Sequence, residues 1–157
     1  MTPLIRRAAV DDVEMLVQLR LALQHESEHI ESDAQIETVR QAIYKYMLEK
    51  MPTEEFIVWV AEIEDKIVAT SGLIFFAKPP SEKNLSGREA YVLNMYTVPQ
   101  WRGKGLATML LQELTYYVKK TDARRIWLYA TADGKPIYEK AGFVAKERHT
   151  LEMELFW

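Results

Sequence analysis

The chain has 157 residues, of which 48% are hydrophobic and 27% are charged, a composition typical of one globular domain with a packed core. Its formal net charge of -3 argues against general nucleic-acid binding, and the absence of cysteine excludes disulfides, a thiol nucleophile and cysteine metal sites. The N-terminus has no apolar signal core and no apolar run reaches membrane-spanning length, so we expect a cytoplasmic protein with a single domain over residues 1–157.

The first half of the chain predicts a strand, two helices and a β-hairpin. A short strand is expected at 4–8, and apolar residues spaced three and four apart predict helices over about 13–24 and 33–51. Strands rich in β-branched and aromatic residues follow at 56–63 and 67–77. The turn Glu64-Asp65-Lys66 joins them, and a loop containing Pro79 and Pro80 comes next.

The second half predicts a strand at 91–98, an amphipathic helix from about 106 to 118 and a strand at 125–130. A short helix starts near Pro136 and ends at Gly142, and two closing strands are expected at 143–147 and 150–156. This order predicts an α/β (α+β) single domain with a mixed, twisted sheet of about six to seven strands and about four helices. We expect parallel pairing only where the central helix connects two strands.

The segment from His25 to His29 reads HESEH and matches the HExxH pattern of zinc hydrolases. Histidines four apart on a helix share a face, so His25 and His29 could bind one metal with Glu26 as base. The longer zinc pattern fails, because Ser32 and Gln35 replace its glycine and its last histidine. A zinc hydrolase using these residues is therefore one alternative, beside a solvated helix end and the lining of an acceptor pocket.

A basic, glycine-bearing turn, RGKG at 102–105, joins the strand that ends at Val98 to the following helix. Glycines at such a junction let several backbone amides point at one ligand, and the helix N-terminus adds about half a positive charge. The turn therefore predicts a phosphate site. It is not a P-loop, because GxxxxGK[ST] is absent, and it is not a dinucleotide loop, because Thr108 replaces the last glycine of GxGxxG.

Two motifs resemble the GNAT superfamily of N-acetyltransferases, which bind acetyl-coenzyme A. One is RxxGxA, present as RGKGLA at 102–107, and the other is IYEKAGF at 137–143. They occur in the order and at the spacing of the family, and the predicted order of elements is similar along nearly the whole chain. The resemblance implies a GNAT-like fold and acetyl-CoA as co-substrate, with no metal.

In that family the strand before the loop splays from its neighbour at a bulge, which places the bulge near Asn94 and Met95. The backbone of residues 96–98 would then pair with the pantetheine arm, and the amides of residues 102–108 would hold the pyrophosphate. Thr131 occupies the position where many members contact the cofactor arm through an asparagine. The implied cofactor-binding residues are Tyr96, Thr97, Val98, Arg102, Gly103, Lys104, Gly105, Leu106, Ala107, Thr108, Thr131 and Tyr138.

The implied reaction is direct attack of a primary amine on the thioester in a ternary complex. Tyr138 matches the family tyrosine beside the cofactor sulfur and would donate a proton to the departing thiolate. Asn94 would orient a water, and Glu26 lies in the region that borders the acceptor site, where a carboxylate attracts and deprotonates a cationic amine. These three are the candidate catalytic residues.

The predicted acceptor is a small amine or a protein amino group, with neither nucleic acid nor membrane as a partner. Many members of the resembling family are dimers, and the alternating C-terminal strand predicts an exposed edge, so a homodimer is an open expectation. A non-catalytic sensor that binds acyl-CoA is the remaining alternative.

Overall fold

The computed structural model describes residues 2–27, 33–147 and 150–157. The regular elements, in chain order, are β1 (Leu4–Arg7), α1 (Val13–Ser27), α2 (Asp33–Lys50), β2 (Phe56–Ile63), β3 (Lys66–Ala77), β4 (Arg88–Thr97), α3 (Leu106–Lys119), β5 (Arg125–Trp127) and α4 (Lys135–Lys140). Short 3-10 turns precede α1 and follow β4, at Val10–Asp12 and Pro99–Trp101. The predicted α/β class and the four helices are confirmed. No helix in the described ranges is long and apolar enough to cross a membrane.

One mixed sheet contains the five strands in the order β1-β2-β3-β4-β5. The first three pairings are antiparallel, and only β4 and β5 run parallel. Parallel neighbours need a long crossover connection, and α3 supplies it between β4 and β5. The predicted position of the parallel pair is therefore confirmed.

Helices cover both faces of the sheet. Successive strand residues point to opposite faces, so strands that are apolar throughout need a covering helix on each side. On one face, α3 buries a stripe of residues four positions apart, formed by Leu106, Leu110, Leu114 and Val118. On the other face, α1 and α2 bury Val13, Leu16, Val17 and Met47 against β2. Burial of these apolar side chains is the main stabilising term of the fold.

The prediction of six to seven strands was wrong at the C-terminal end. The described parts of the predicted closing strands, 143–147 and 150–156, contain no strand, and β5 covers only 125–127. Leu151, Met153 and Leu155 alternate with glutamates, yet these apolar side chains are 82–90% exposed. Alternating apolar and polar residues form a strand only when a neighbouring strand pairs with their backbone hydrogen-bonding groups. No described strand pairs with this segment.

Candidate functional site

The pairing between the parallel strands β4 and β5 ends after three residue pairs, and we call the region beyond its end the cleft. Their pairing consists of Glu89 with Arg125, Ala90 with Ile126 and Tyr91 with Trp127. Beyond Tyr91, β4 continues to Thr97 while it pairs with β3 alone. The backbone of β4 on the β5 side is therefore available to another extended chain from this point onward.

A β-bulge lies in the same part of β4, at the position predicted from the sequence. Tyr96 pairs with Thr70 and Leu93 pairs with Gly72, so Asn94 and Met95 together lie opposite a single residue of β3. Asn94 has a φ of 54°, in the left-handed region where asparagine is one of the better tolerated residues. The bulge therefore turns the strand and aims the Asn94 side chain differently from its neighbours.

The Asn94 side chain is held by α1. Arg20 donates a hydrogen bond through Nη1 to Asn94 Oδ1 at 2.7 Å. Arg20 occupies a position in the otherwise apolar stripe of α1 and is not among the site residues predicted from the sequence. The sequence feature that could have identified Arg20 is a positively charged residue on the core-facing stripe of a helix, because a buried charge needs a polar partner.

The predicted phosphate loop, residues 102–105, has a backbone conformation that suits the binding of an anion. Gly103 and Gly105 have φ values of 74° and 78°, which residues with a Cβ rarely adopt, and Gly105 is the N-cap of α3. No side chain caps the first turn of α3, and a Cβ built on either glycine would meet nothing within 4 Å. The N-terminal amides of α3 thus face open space at the positive end of the helix dipole.

Side chains of the loop are anchored on both sides of it. Arg102 donates through Nε to the carbonyl oxygen of Thr97 at 2.9 Å. Its Nη2 contacts both carboxylate oxygens of Glu26, at 2.9 and 2.6 Å. The ammonium of Lys104 lies 4.1 Å from the centre of the Trp101 ring. The loop therefore presents two cations, one of which is tied to the end of α1.

Glu26 also accepts a hydrogen bond from the Tyr96 hydroxyl at 2.7 Å. This hydrogen bond and those from Arg102 lower the pKa of Glu26 below its ordinary value. Burial and the same hydrogen bond raise the pKa of Tyr96. Glu26 is therefore ionised at neutral pH, and the structure brings three predicted site residues (Glu26, Tyr96 and Arg102) into one hydrogen-bonded group.

Tyr138 and Thr131 form a second group at the start of α4. Thr131 Oγ1 accepts a hydrogen bond from the Gly134 amide at 3.2 Å, and a Cβ on Gly134 would lie 3.2 Å from both Thr131 Oγ1 and the Tyr138 ring. Tyr138 is 9% exposed and packs edge-on against Phe143. Burial raises the pKa of Tyr138, so its hydroxyl keeps its proton at neutral pH.

The HESEH segment lies only partly within the described residues. His29 lies outside the described residues, so the geometry of the predicted histidine pair is not part of this structure. Glu26, the base in the zinc hydrolase alternative, forms hydrogen bonds with Arg102 and Tyr96. Within 2–27, 33–147 and 150–157, no cluster of three or more histidine, aspartate or glutamate side chains could hold an ion.

A cavity of about 540 Å³ lies away from these residues. It is bordered by the C-terminal part of α2, the start of β4 and the C-terminal part of α3, with Lys50, Arg88 and Tyr117 among its lining residues. None of the predicted site residues lines it. The candidate site is therefore the cleft at the β4 bulge rather than this cavity.

Comparison with known proteins assigns the family. The sequence profile of the acetyltransferase (GNAT) family matches residues 19–143, which is most of the chain. A predicted acetyltransferase from Clostridium acetobutylicum, crystallised with acetyl-CoA, is 30% identical, with a TM-score of 0.85 over 98% of this chain and 96% of that chain. The chain therefore belongs to the acetyltransferase (GNAT) family and is an acyltransferase. The resemblance stated from its two motifs is confirmed.

Two further solved structures share the fold at lower identity. A GCN5-related N-acetyltransferase from Ralstonia eutropha JMP134 is 21% identical, with a TM-score of 0.83 over 97% of this chain and 99% of that chain. Glucosamine-6-phosphate N-acetyltransferase from Arabidopsis thaliana is 20% identical, with a TM-score of 0.70 over 100% and 99% of the two chains. A search of curated proteins found no match.

Proposed function

We propose that this acetyltransferase moves an acetyl group from acetyl-CoA to a primary amine. The observation that carries the proposal is the cleft: the β4 backbone beyond Tyr91 is unpaired on the β5 side and leads directly to the phosphate loop at the start of α3. A long ligand with an extended amide-containing arm and a pyrophosphate fits both features. Acetyl-CoA is such a ligand, and it is bound in the 30% identical Clostridium acetobutylicum structure.

The residues that would hold acetyl-CoA are those of the unpaired strand end and the loop. The backbone of residues 96–98 would pair with the pantetheine arm, and the amides of residues 102–108 would bind the pyrophosphate, with charge from Arg102 and Lys104. Thr131 would contact the arm from the opposite side of the cleft. The open space around Gly103 and Gly105 supports this role.

In the reaction, the amine nitrogen attacks the thioester carbonyl, a C–N bond forms, and the C–S bond breaks. The departing thiolate takes up one proton and the amine loses one. Tyr138 would supply the first proton, because its hydroxyl is protonated at neutral pH. Asn94 would orient a water near the amine, with Arg20 fixing its amide.

Glu26 is the proposed acidic residue on the acceptor side. Its carboxylate is ionised and lies at the end of α1, where it would attract a cationic amine. In the present arrangement it contacts Arg102 and Tyr96, so interaction with an amine requires that Arg102 turn toward another anion. The pyrophosphate of the donor is an anion of that kind.

Calorimetric titration with acetyl-CoA tests the donor. We expect saturable binding to the wild type, binding about tenfold weaker in Arg102→Ala, and loss of binding in Gly105→Glu, which places a carboxylate at the helix N-terminus. Arg40→Ala removes a cation on the surface of α2 and is the matched control, with unchanged affinity. Absence of wild-type binding at millimolar acetyl-CoA would overturn the proposal. Binding without thiol release from any amine would instead favour an acyl-CoA sensor.

A further inference from the structure

Four aromatic side chains form a continuous surface across β3, β4, β5 and the segment that follows β5. The ring centre of Tyr91 lies 4.4 Å from that of Trp127 and 6.0 Å from that of Phe76. Tyr129 meets the Trp127 ring edge-on at 5.6 Å. We call these four residues, Phe76, Tyr91, Trp127 and Tyr129, the aromatic wall.

The aromatic wall lies on the face of the sheet that α1 and α2 cover. Ala90 and Val92 pack toward α3, and Leu93 packs toward α1 and α2, so Tyr91 points toward α1 and α2 by alternation. The wall is not fully covered by those helices. Phe76, Tyr91 and Trp127 are half-buried, and Tyr129 is 58% exposed. Ring surface is therefore accessible to a ligand.

The wall begins where the cleft begins. Tyr91 and Trp127 are the last residues that pair β4 with β5. Asn94, which marks the bulge, follows three residues later and meets Arg20 of α1 on the same face. Three residues of strand span about 10 Å. A molecule whose amine lies near the bulge can therefore extend its other end across the rings.

Polar groups at the wall suit an amine. Glu152 accepts a hydrogen bond from the Tyr129 hydroxyl at 2.8 Å, and both Glu152 and Arg20 lie within electrostatic range of the Tyr91 hydroxyl. The carboxylate attracts an ammonium group. The Arg20 cation, placed next to the bulge, favours the neutral form of an amine bound there, which is the form that attacks.

Trp127 Nε1 in the wall is a buried polar atom without a hydrogen-bond partner in the described part of the chain, and Gln24 Oε1 on α1 is another. Gln24 follows Arg20 by one helical turn, so both project from the same face of α1. An unpaired buried donor or acceptor is unfavourable unless a ligand or water satisfies it. Trp127 Nε1 is therefore a donor that a polar group of a ligand would satisfy only by reaching past the ring surface.

Resting on the proposed function, we infer that the acceptor is a primary amine joined by a short linker to a flat aromatic ring. The ring stacks on the aromatic wall, and the amine reaches the bulge at Asn94. Apolar contact with several rings and offset stacking stabilise such a ligand more than a polar amine of similar length. A sugar amine or a linear polyamine would leave the wall exposed to water and would gain neither the apolar contact nor the stacking.

The test compares three acceptor amines (phenethylamine, cyclohexylethylamine and ethanolamine) in a thiol-release assay at saturating acetyl-CoA. We expect phenethylamine to have a KM at least about tenfold below that of ethanolamine, with cyclohexylethylamine between them, because it is apolar but not flat. Trp127→Leu should raise the KM for phenethylamine about tenfold and leave that for ethanolamine unchanged. Trp127→Phe, which keeps a ring and loses the indole N–H, should lie between wild type and Trp127→Leu.

Phe75→Leu is the matched control, because Phe75 packs on the opposite face of the sheet, toward α3, and contacts Tyr117. It should leave the KM values for phenethylamine and ethanolamine unchanged. Calorimetric affinity for acetyl-CoA in each variant shows that the fold and the donor site are intact. Equal KM values for the three amines, with normal acetyl-CoA binding, would overturn this inference alone. Loss of acetyl-CoA binding by the wild type would overturn the proposed function and this inference with it.

Discussion

At the scale of single residues, Tyr138 combines a buried ring with a hydroxyl whose pKa is raised by that burial. A phenol that stays protonated can give a proton to a thiolate whose ordinary pKa is near 8.5. Because the pKa of Tyr138 lies above its ordinary value of about 10, the supply of this proton should not fall until the pH exceeds about 10.

We therefore predict that Tyr138→Phe lowers kcat on the order of 100-fold while the affinity for acetyl-CoA changes little. The ring and its contact with Phe143 are kept, so the fold should be intact. Steady-state kinetics and calorimetry measure the two effects. Tyr116→Phe is the control, since Tyr116 lies 61% exposed on α3. An unchanged kcat in Tyr138→Phe would exclude Tyr138 as the proton donor.

Asp12 carries a second prediction, on stability. Its carboxylate forms hydrogen bonds with the Arg6 guanidinium at 2.7 and 2.9 Å and accepts one from the Ala9 amide at 2.7 Å. The Arg6 hydrogen bond lowers the pKa of Asp12 below its ordinary value. A lowered pKa in the folded state stabilises the fold above about pH 4, and this contribution is lost as the pH falls further.

Asp12→Asn should reduce the free energy of unfolding by about 1–3 kcal/mol at pH 7, with a smaller loss at pH 3. Urea denaturation at both pH values measures the difference. The neighbouring substitution Asp11→Asn, at an exposed residue, should change stability by less than about 0.5 kcal/mol. An equal loss at pH 7 and pH 3 would show that the charge of Asp12 is not what stabilises the fold.

At the scale of elements, the bulge in β4 depends on a residue with positive φ. Asn94→Gly keeps the backbone conformation available and removes the contact with Arg20, whereas Asn94→Val also disfavours φ 54°. We predict that the valine variant is less stable than the glycine variant by about 1–3 kcal/mol. It should also bind acetyl-CoA more weakly, because the strand no longer turns at the cleft.

Thermal denaturation and calorimetric titration of the two Asn94 variants measure this prediction. Since both variants lack the amide that Arg20 contacts, the loss of this contact does not contribute to their difference. Equal stability and equal affinity would mean that the positive φ of Asn94 does not maintain the cleft.

At the scale of the whole molecule, the chain contains a zinc-like motif within a fold that suits acetyl transfer. We predict that dialysis against a chelator leaves the rate of thiol release unchanged and that the purified protein contains far less than one zinc per chain. Elemental analysis and the same kinetic assay measure both quantities. Stoichiometric zinc whose removal abolishes activity, together with loss of that zinc in His25→Ala, would instead support the hydrolase interpretation of HESEH.

Local sequence determined most of the elements and the glycine-bearing loop that precedes α3. Turn-forming glycines, a strand-stopping proline and a 3.6-residue apolar period are local properties, so they predicted β4, the loop at 102–105 and α3 close to their observed bounds. The bulge near Asn94 came from the family resemblance. The closing strands failed because alternation at Leu151 and Met153 cannot reveal whether a neighbouring strand is present to pair with them.

Only the tertiary structure decided which distant side chains meet. Glu26 and Arg102 are 76 residues apart in the chain, and no sequence pattern predicts that the acidic residue of α1 is bound to the cation of the phosphate loop. The aromatic wall likewise combines residues of β3, β4 and β5 with Tyr129, which follows β5, and the order and register of the strands determine which rings touch. Helix and turn formation depend on near neighbours, whereas these contacts depend on the packing of the whole sheet. The sequence alone therefore determined the family and the glycine-bearing loop before α3, and the fold decided which distant side chains lie beside that loop.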